Sequence, residues 1–287
     1  MHQADLCVQD NARITFVGHA TTLVEMSGAR ILTDPVFRHR FRFLKRRLAL
    51  STGSIDLQNL DAVVLSHMHF DHMDYPSLRM IPEHTPIIAP EGASRYLERR
   101  VGHDIVEMAV GGSIRVGEVE IHATPSRHDS GFYWPMWHPK TVLSYMLVGS
   151  QTVFFVGDTA LFDTMRDLGT SYDIDVAMLP VWGFGPYLRG DHMSPEEAAE
   201  ALAMLQPRVA VPIHWGTLHP MGPWWRKMGF LHRPPHAFAL EATRRAPHTD
   251  VRVLTPGEST VVGPVPAFAT NPVPRVIGIP TLEPALA

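Results

Sequence analysis

The chain has 287 residues, 45% hydrophobic and 19% charged, enough for one large globular domain or two small ones; disorder is excluded. Lys and Arg number 25 against 29 Asp and Glu, a net charge of -4, so no overall basic field recruits nucleic acid and no nucleic-acid partner is expected. A single cysteine, Cys7, excludes a disulfide framework and disfavours a thiolate metal site, whereas 17 histidines against 6 tyrosines point to imidazole chemistry.

Met1–Asp5 has no basic stretch leading into an apolar one, which reads as no signal peptide. No apolar run reaches the roughly 18 residues of a spanning helix. A cytoplasmic location is the expectation. Ile14–Val17, Thr22–Met26 and Arg30–Thr33 read as short strands divided by Gly18 and Ser27-Gly28, which predicts an antiparallel meander. Asp34-Pro35 ends the third. Residues 38–47 carry six Lys or Arg among ten positions, interleaved with Phe. They are expected to form a solvated loop or helix face; the alternative is a surface for an anionic headgroup or membrane lipid, which leaves a peripheral membrane contact open.

Asp61–Leu65 is an apolar strand that runs into Ser66-His67-Met68-His69-Phe70-Asp71-His72. Pro76–Met80 is a short helix, Ile87–Ala89 a strand and Ala93–Arg100 a helix. Strands follow at Asp104–Met108, Ser113–Val116 and Val119–Thr124, then at Thr141–Val148 and Thr152–Val156, the last two paired through Gly149-Ser150. Phe162–Leu168 reads as helix and Asp175–Leu179 as a buried strand. Ser194 is an N-cap, Pro195 takes the first helical position and Glu197 closes a capping box, so a helix runs over Pro195–Leu205. Val209–Ile213 is a strand that ends in His214; a helix at Pro235–Arg245 and a last strand at Val251–Leu254 follow. This divides the chain into a domain over residues 1–262 and a Pro-rich tail over 263–287, with no internal repeat and no linker.

Strand after strand ends in a metal ligand. The pattern H-x-H-x-D-H supplies His67, His69, Asp71 and His72, and later strands lead to His128, Asp158 and His214. So many ligands in so short a span would repel or stay unsatisfied without a cation. Seven exceed one tetrahedral zinc and fit two metals. The expected partition puts His67, His69 and His128 on one metal and Asp71, His72 and His214 on the other, with Asp158 and a hydroxide bridging. His–carboxylate sites of this kind take Zn, with Mn or Fe as alternatives.

These residues, together with Gly18-His19-Ala20-Thr21, Leu32-Thr33-Asp34-Pro35, Gly157-Asp158-Thr159, His192-Met193-Ser194-Pro195-Glu196-Glu197 and Ile213-His214-Trp215-Gly216-Thr217, resemble the metallo-β-lactamase superfamily. The branch is the one that holds N-acyl-phosphatidylethanolamine-hydrolysing phospholipase D and the ascorbate-6-phosphate lactonases. The resemblance implies an α/β fold, a four-layer αββα sandwich, with a dizinc site at one sheet edge. Asp158 departs from true β-lactamases, which usually lack a carboxylate there, and His69 from the flavodiiron oxidoreductases, which carry Glu.

Two such ions about 3.5–4 Å apart activate a bridging water and clamp both attacking and leaving oxygens. Asp71 is expected to help orient the nucleophile and His192 to protonate the leaving group, with His19 and Asp34 orienting ligand imidazoles through their other nitrogens. Trp134, Trp137, Trp182 and Trp215 are expected to wall an apolar pocket, with Arg189 available to phosphate. The expected activity is phosphodiester hydrolysis of a small-molecule or lipid-like substrate. Lactone, ester or amide hydrolysis on the same metals is the alternative, a metal-bound non-catalytic binding protein is the alternative of another class, and an oligomer is left open.

Overall fold

Period-two alternation in the N-terminal strands sends side chains to two different cores. Ile14, Phe16, Val24, Met26, Ile31, Val64 and Ile88 enter one core, while Val17, Leu23, Leu32, Val63, Leu65, Ile87 and Ala89 enter another. A sheet apolar on both faces must be covered on both, and that requirement sets the layers. The computed structural model of the protein describes residues 11–41, 44–47, 55–129, 141–183, 188, 190–221 and 229–264.

The first sheet runs in the spatial order β17 (Ser259–Val262), β1 (Ala12–Gly18), β2 (Thr21–Met26), β3 (Ala29–Thr33), β6 (Ala62–Val64), β7 (Ile87–Pro90) and β8 (Ile105–Met108). The second runs β16 (Asp250–Val251), β14 (Val209–Ile213), β13 (Val176–Pro180), β12 (Thr152–Phe155), β11 (Leu143–Val148), β10 (Val119–Pro125) and β9 (Ser113–Val116). Each sheet joins an antiparallel part to a parallel one, the parallel pairings starting at β3–β6 in the first and at β12–β13 in the second. The two halves therefore share an arrangement of strands that no sequence repeat announces.

Leu78 of the helix Tyr75–Leu78 and Leu97 and Val101 of the helix Ser94–Val101 cover the outer face of the first sheet. Met165 and Leu168, then Ala198, Leu202 and Leu205, then Phe238 and Ala242 bring the helices Met165–Ser171, Pro195–Leu205 and Pro234–Arg245 onto the second. The outcome is the expected αββα order. The predicted capping box is present: Glu197 N donates to Ser194 Oγ at 3.2 Å and Ser194 N to Glu197 Oε2 at 2.8 Å.

Three expectations need correction. The closing strand is not Val251–Leu254; only Asp250–Val251 pairs, and the chain continues to Ser259–Val262, which crosses to the first sheet and pairs with β1. The basic stretch 38–47 is neither a helix nor a uniformly solvated face. Its described residues form a hairpin, β4 (Arg40–Phe41) with β5 (Leu44–Arg46), joined by β15 (Leu218–Pro220) into a small third sheet. Arg46 is buried and donates to Val36 O, Arg47 Nε donates to Gly216 O at 2.7 Å, and Arg38 pairs with buried Asp74. Arg46 and Arg47 are thus tied into internal contacts, while Arg38, His39 and Arg40 stay exposed. Third, the helix expected at Phe162–Leu168 begins later, at Met165. Residues 265–287, most of the expected tail, lie outside the described residues.

Candidate metal centre

Strands of both sheets point their C-terminal ends at one edge. β1 delivers His19, β3 Asp34 and β6 the run Ser66–His72; β10 leads to His128, β12 to Asp158 and β14 to His214. His19, Asp34 and His214 have φ of 61°, 34° and 60°, the left-handed region that costs a side-chain-bearing residue about 1–2 kcal/mol. In each case a sharp turn straight after a buried strand aims the side chain inward. The strain is held by bonds such as His19 N to Thr217 Oγ1, 2.7 Å, and His214 N to His19 O, 2.8 Å.

Hydrogen bonds fix the imidazole tautomers. His72 Nδ1–H donates to Asp34 Oδ2 at 2.6 Å, His214 Nδ1–H to Trp182 O at 2.8 Å and His128 Nδ1–H to Asp191 O at 2.8 Å. His67 Nδ1–H donates to Ser66 Oγ at 2.9 Å. Each ring is thus committed through Nδ1, which leaves Nε2 as the inward ligand atom. Two of these consequences need a cation. His72 Nε2 and His214 Nε2 face each other at 3.2 Å as acceptors with no proton between them in their neutral forms. Among the described residues, His67 Nε2 is buried with no hydrogen-bond partner, and so is Asp158 Oδ1 while His214 is neutral.

The donor atoms fall into groups. His67, His69 and His128 bring one ligand atom each within 4.8 Å of one another, and so do Asp71, His72 and His214, with His19 as a fourth member. Asp158 lies between the groups, with Oδ2 3.0 Å from His72 Nε2 and 4.0 Å from His128 Nε2, and Oδ1 3.2 Å from His214 Nε2. Nitrogen and carboxylate donors of this kind suit zinc and similar divalent ions. The orphaned atoms and the facing lone pairs show that the residues fit a metal.

The electrostatics agree with that chemistry. Burial, with neighbouring histidines, holds His67 well below its ordinary value, and burial lowers His69 to about 4. Burial alone would also lower His72 and His214, but Asp158 and its companion carboxylates overcome it, taking His72 well up and His214 to about 9. Burial would raise Asp71 and Asp158, yet His72 beside the first and His214 beside the second hold both well below the usual carboxylate range. His67 and His69 thus stay neutral, whereas His72 and His214 attract protons toward the ionised Asp71 and Asp158.

His19 and His192 complete the ring of side chains. His19 is buried and lowered to about 3, chiefly by burial and by His214. A neutral imidazole 2.9 Å from a carboxylate oxygen must donate, so His19 Nε2–H holds Asp71 Oδ2. That agrees with an orienting role for His19 rather than ligation. His192 stands at the mouth, its side chain 16% exposed, with Nε2–H donating to Asp158 Oδ2 at 3.2 Å. Met193, buried behind it, and the capped helix fix its approach.

All seven expected ligands, together with His19, Asp34 and His192, are therefore brought to one place. Of the expected pocket residues, Trp182 and Trp215 are described. Trp215 is 8% exposed, stacks on Phe16 at 6.1 Å and donates Nε1–H to Pro212 O at 2.9 Å, so it belongs to the core and not to a pocket wall. The left-handed turn at His214 points the imidazole at the metal centre and the next side chain inward. Trp182 contributes its backbone carbonyl to His214. Trp134, Trp137 and Arg189 lie outside the described residues. Sequence reasoning missed Ser66 and the carbonyls of Trp182 and Asp191; only Ser66, directly ahead of H-x-H, carried any sequence signal.

Comparison with known proteins points the same way. The profile of the beta-lactamase superfamily domain matches residues 29–215. A metal-dependent hydrolase of Deinococcus radiodurans is 32% identical over 250 residues, covering 86% of this chain and 98% of its own. N-acyl-phosphatidylethanolamine-hydrolyzing phospholipase D 1 of Caenorhabditis elegans is 29% identical over 230 residues, covering 72% of this chain and 64% of its own. Among solved structures, a metallo hydrolase of Ignicoccus hospitalis superposes with a TM-score of 0.67 at 24% identity over 88% of this chain and 98% of its own, a likeness of fold. The chain belongs to the metallo-β-lactamase superfamily and is a metal-dependent hydrolase of that family.

Proposed function

We propose that this protein is a dinuclear metallohydrolase that cleaves a small or lipid-like phosphodiester. The observation that carries the proposal is Asp158, which reaches His72 and His214 of one donor group at 3.0 and 3.2 Å and His128 of the other at 4.0 Å. A carboxylate in that position suits two ions better than one. His67, His69 and His128 would hold the first, Asp71, His72 and His214 the second, and Asp158 both. Zinc fits the donor set best, with manganese or iron as alternatives.

When bound, a pair of divalent ions supplies an activated water and stabilises charge on the attacking and leaving oxygens. The chain's own residues do the rest. His19 holds Asp71, and Asp34 holds His72, so ligands do not turn as charge develops. His192 carries a proton on the nitrogen that faces the centre and is the partly exposed imidazole of the set. It gives that proton to the oxygen released as the P–O bond breaks, and the alcohol departs neutral. The similarity to a phospholipase D that hydrolyses N-acyl-phosphatidylethanolamine supports a diester over a lactone.

The test is a panel of bis(p-nitrophenyl) phosphate, an acyl-homoserine lactone and nitrocefin, assayed with zinc or manganese. Diester turnover that needs metal is expected. Lactone turnover without diester turnover would replace the phosphodiesterase proposal by a lactonase.

A further inference from the structure

Ser66 is hydrogen-bonded both to Asp34 and to His67. It is fully buried. Its backbone N donates to Asp34 Oδ1 at 2.7 Å, and its hydroxyl lies 2.6 Å from Asp34 Oδ2 and 2.9 Å from His67 Nδ1. Leu143 N, from the second sheet, donates to its carbonyl at 2.9 Å. On its other side is Gly157, where an added Cβ would come 2.7 Å from Ser66 Cβ.

The direction of the hydroxyl is determined by its neighbours. Asp34 receives the Ser66 N–H, the Ser66 hydroxyl and the His72 Nδ1–H, three donors that require an ionised, accepting carboxylate. The Ser66 proton therefore points to Asp34, and its oxygen has a lone pair left for His67. His67 must then carry its proton on Nδ1. A single carboxylate oxygen, Asp34 Oδ2, so serves His72 directly and His67 through Ser66. In the proposed partition His67 would hold one ion and His72 the other.

We propose that Ser66 is a positioning residue that locks His67 in its metal-binding tautomer and joins the two metal positions through Asp34 Oδ2. An alanine at 66 keeps the backbone bonds and removes only the relay. His67 Nδ1–H then loses its acceptor, and the ring can turn or exchange its proton to Nε2, the atom meant for the metal. Partners of this kind are worth about 10–100-fold in metal affinity.

This inference rests on the dinuclear proposal, and two measurements separate them. Stepwise zinc titration against a chromogenic chelator counts the sites in the wild type. Long-range nitrogen–proton NMR of the metal-free protein reads the His67 tautomer whatever that count is. The wild type should take up two zinc ions and show His67 protonated at Nδ1. Ser66→Ala should weaken one of the two steps by about 10–100-fold and populate the Nε2–H form of His67. Asp34→Asn should weaken both steps. An unchanged first and second step in Ser66→Ala, with His67 still protonated only at Nδ1, would overturn the role of Ser66. A wild type that binds one ion would overturn the dinuclear proposal and leave the NMR result to decide on Ser66.

Discussion

Metal uptake should strengthen steeply with pH, because His214, one of the groups expected to hold the second ion, holds a proton without it. His214 has Nδ1–H committed to Trp182 O, so any added proton sits on Nε2, between His72 Nε2 at 3.2 Å and Asp158 Oδ1 at 3.2 Å. Burial works against that proton, but Asp158 and Asp71 outweigh it and bring the group up to about 9. At pH 7 the proton must leave before Nε2 can bind a metal. Two pH units amount to about 100-fold in apparent affinity, or about 2.7 kcal/mol. The sign follows directly: His214 is protonated in the free protein and deprotonated in the complex, so binding releases a proton and tightens as pH rises towards about 9. His72, also raised, adds to the effect. Between about pH 6 and 8 the affinity should rise at least tenfold per unit. Zinc competition against a chromogenic chelator measures the slope, and calorimetry in two buffers of different ionisation enthalpy counts the protons. An affinity flat across that range, or uptake without proton release, would refute the reasoning.

Other variants test separate links. His192→Gln should keep its full metal content and lose about 100- to 10,000-fold in kcat, the usual worth of a positioned acid; loss of metal instead would make His192 a ligand. Gly157→Ala should destabilise the fold by about 2 kcal/mol or more and disturb Asp158, because φ there is +62° and the new Cβ would meet Ser66 Cβ at 2.7 Å; a wild-type melting temperature with normal metal content would contradict this. Trp215→Ala should cost about 3–5 kcal/mol in denaturant unfolding, as for other buried aromatics, and a loss below about 1 kcal/mol would return Trp215 to a pocket wall. Arg46 is buried with Nε and Nη1 unpartnered among the described residues, so Arg46→Met should leave stability unchanged or raise it by about 1–4 kcal/mol; a large drop in the denaturation midpoint would show that its bond to Val36 O matters more than its lack of partners.

Much of the fold was legible because its determinants are local. Alternation in Ile14–Val17, Thr22–Met26 and Arg30–Thr33, and the apolar runs before His67, Asp158 and His214, each need only a few neighbouring residues to be read. Four of the seven candidate ligands were legible for the same reason: H-x-H-x-D-H concentrates donors that a cation satisfies, and His128, Asp158 and His214 follow apolar strands. What escaped depends on contacts distant in sequence. Ser259–Val262 is a strand because β1 offers it an open edge far back in the chain. Arg46 looks like a solvent residue in a basic run, and only the packing of β5 against Val36 and Gly18 buries it. Trp215 beside a ligand invites a pocket role, but the positive φ of His214 turns it onto Phe16. The carbonyls of Trp182 and Asp191 act through backbone atoms, which no side-chain pattern reveals.

The central claim is that two ions sit in one centre, shared by Asp158. Anomalous diffraction at the zinc edge, from crystals grown with zinc, tests it most directly. The account predicts two peaks about 3.5–4 Å apart, one against His67, His69 and His128, the other against Asp71, His72 and His214, with Asp158 touching both. A single fully occupied peak, or two peaks with Asp158 bound to neither, would contradict it.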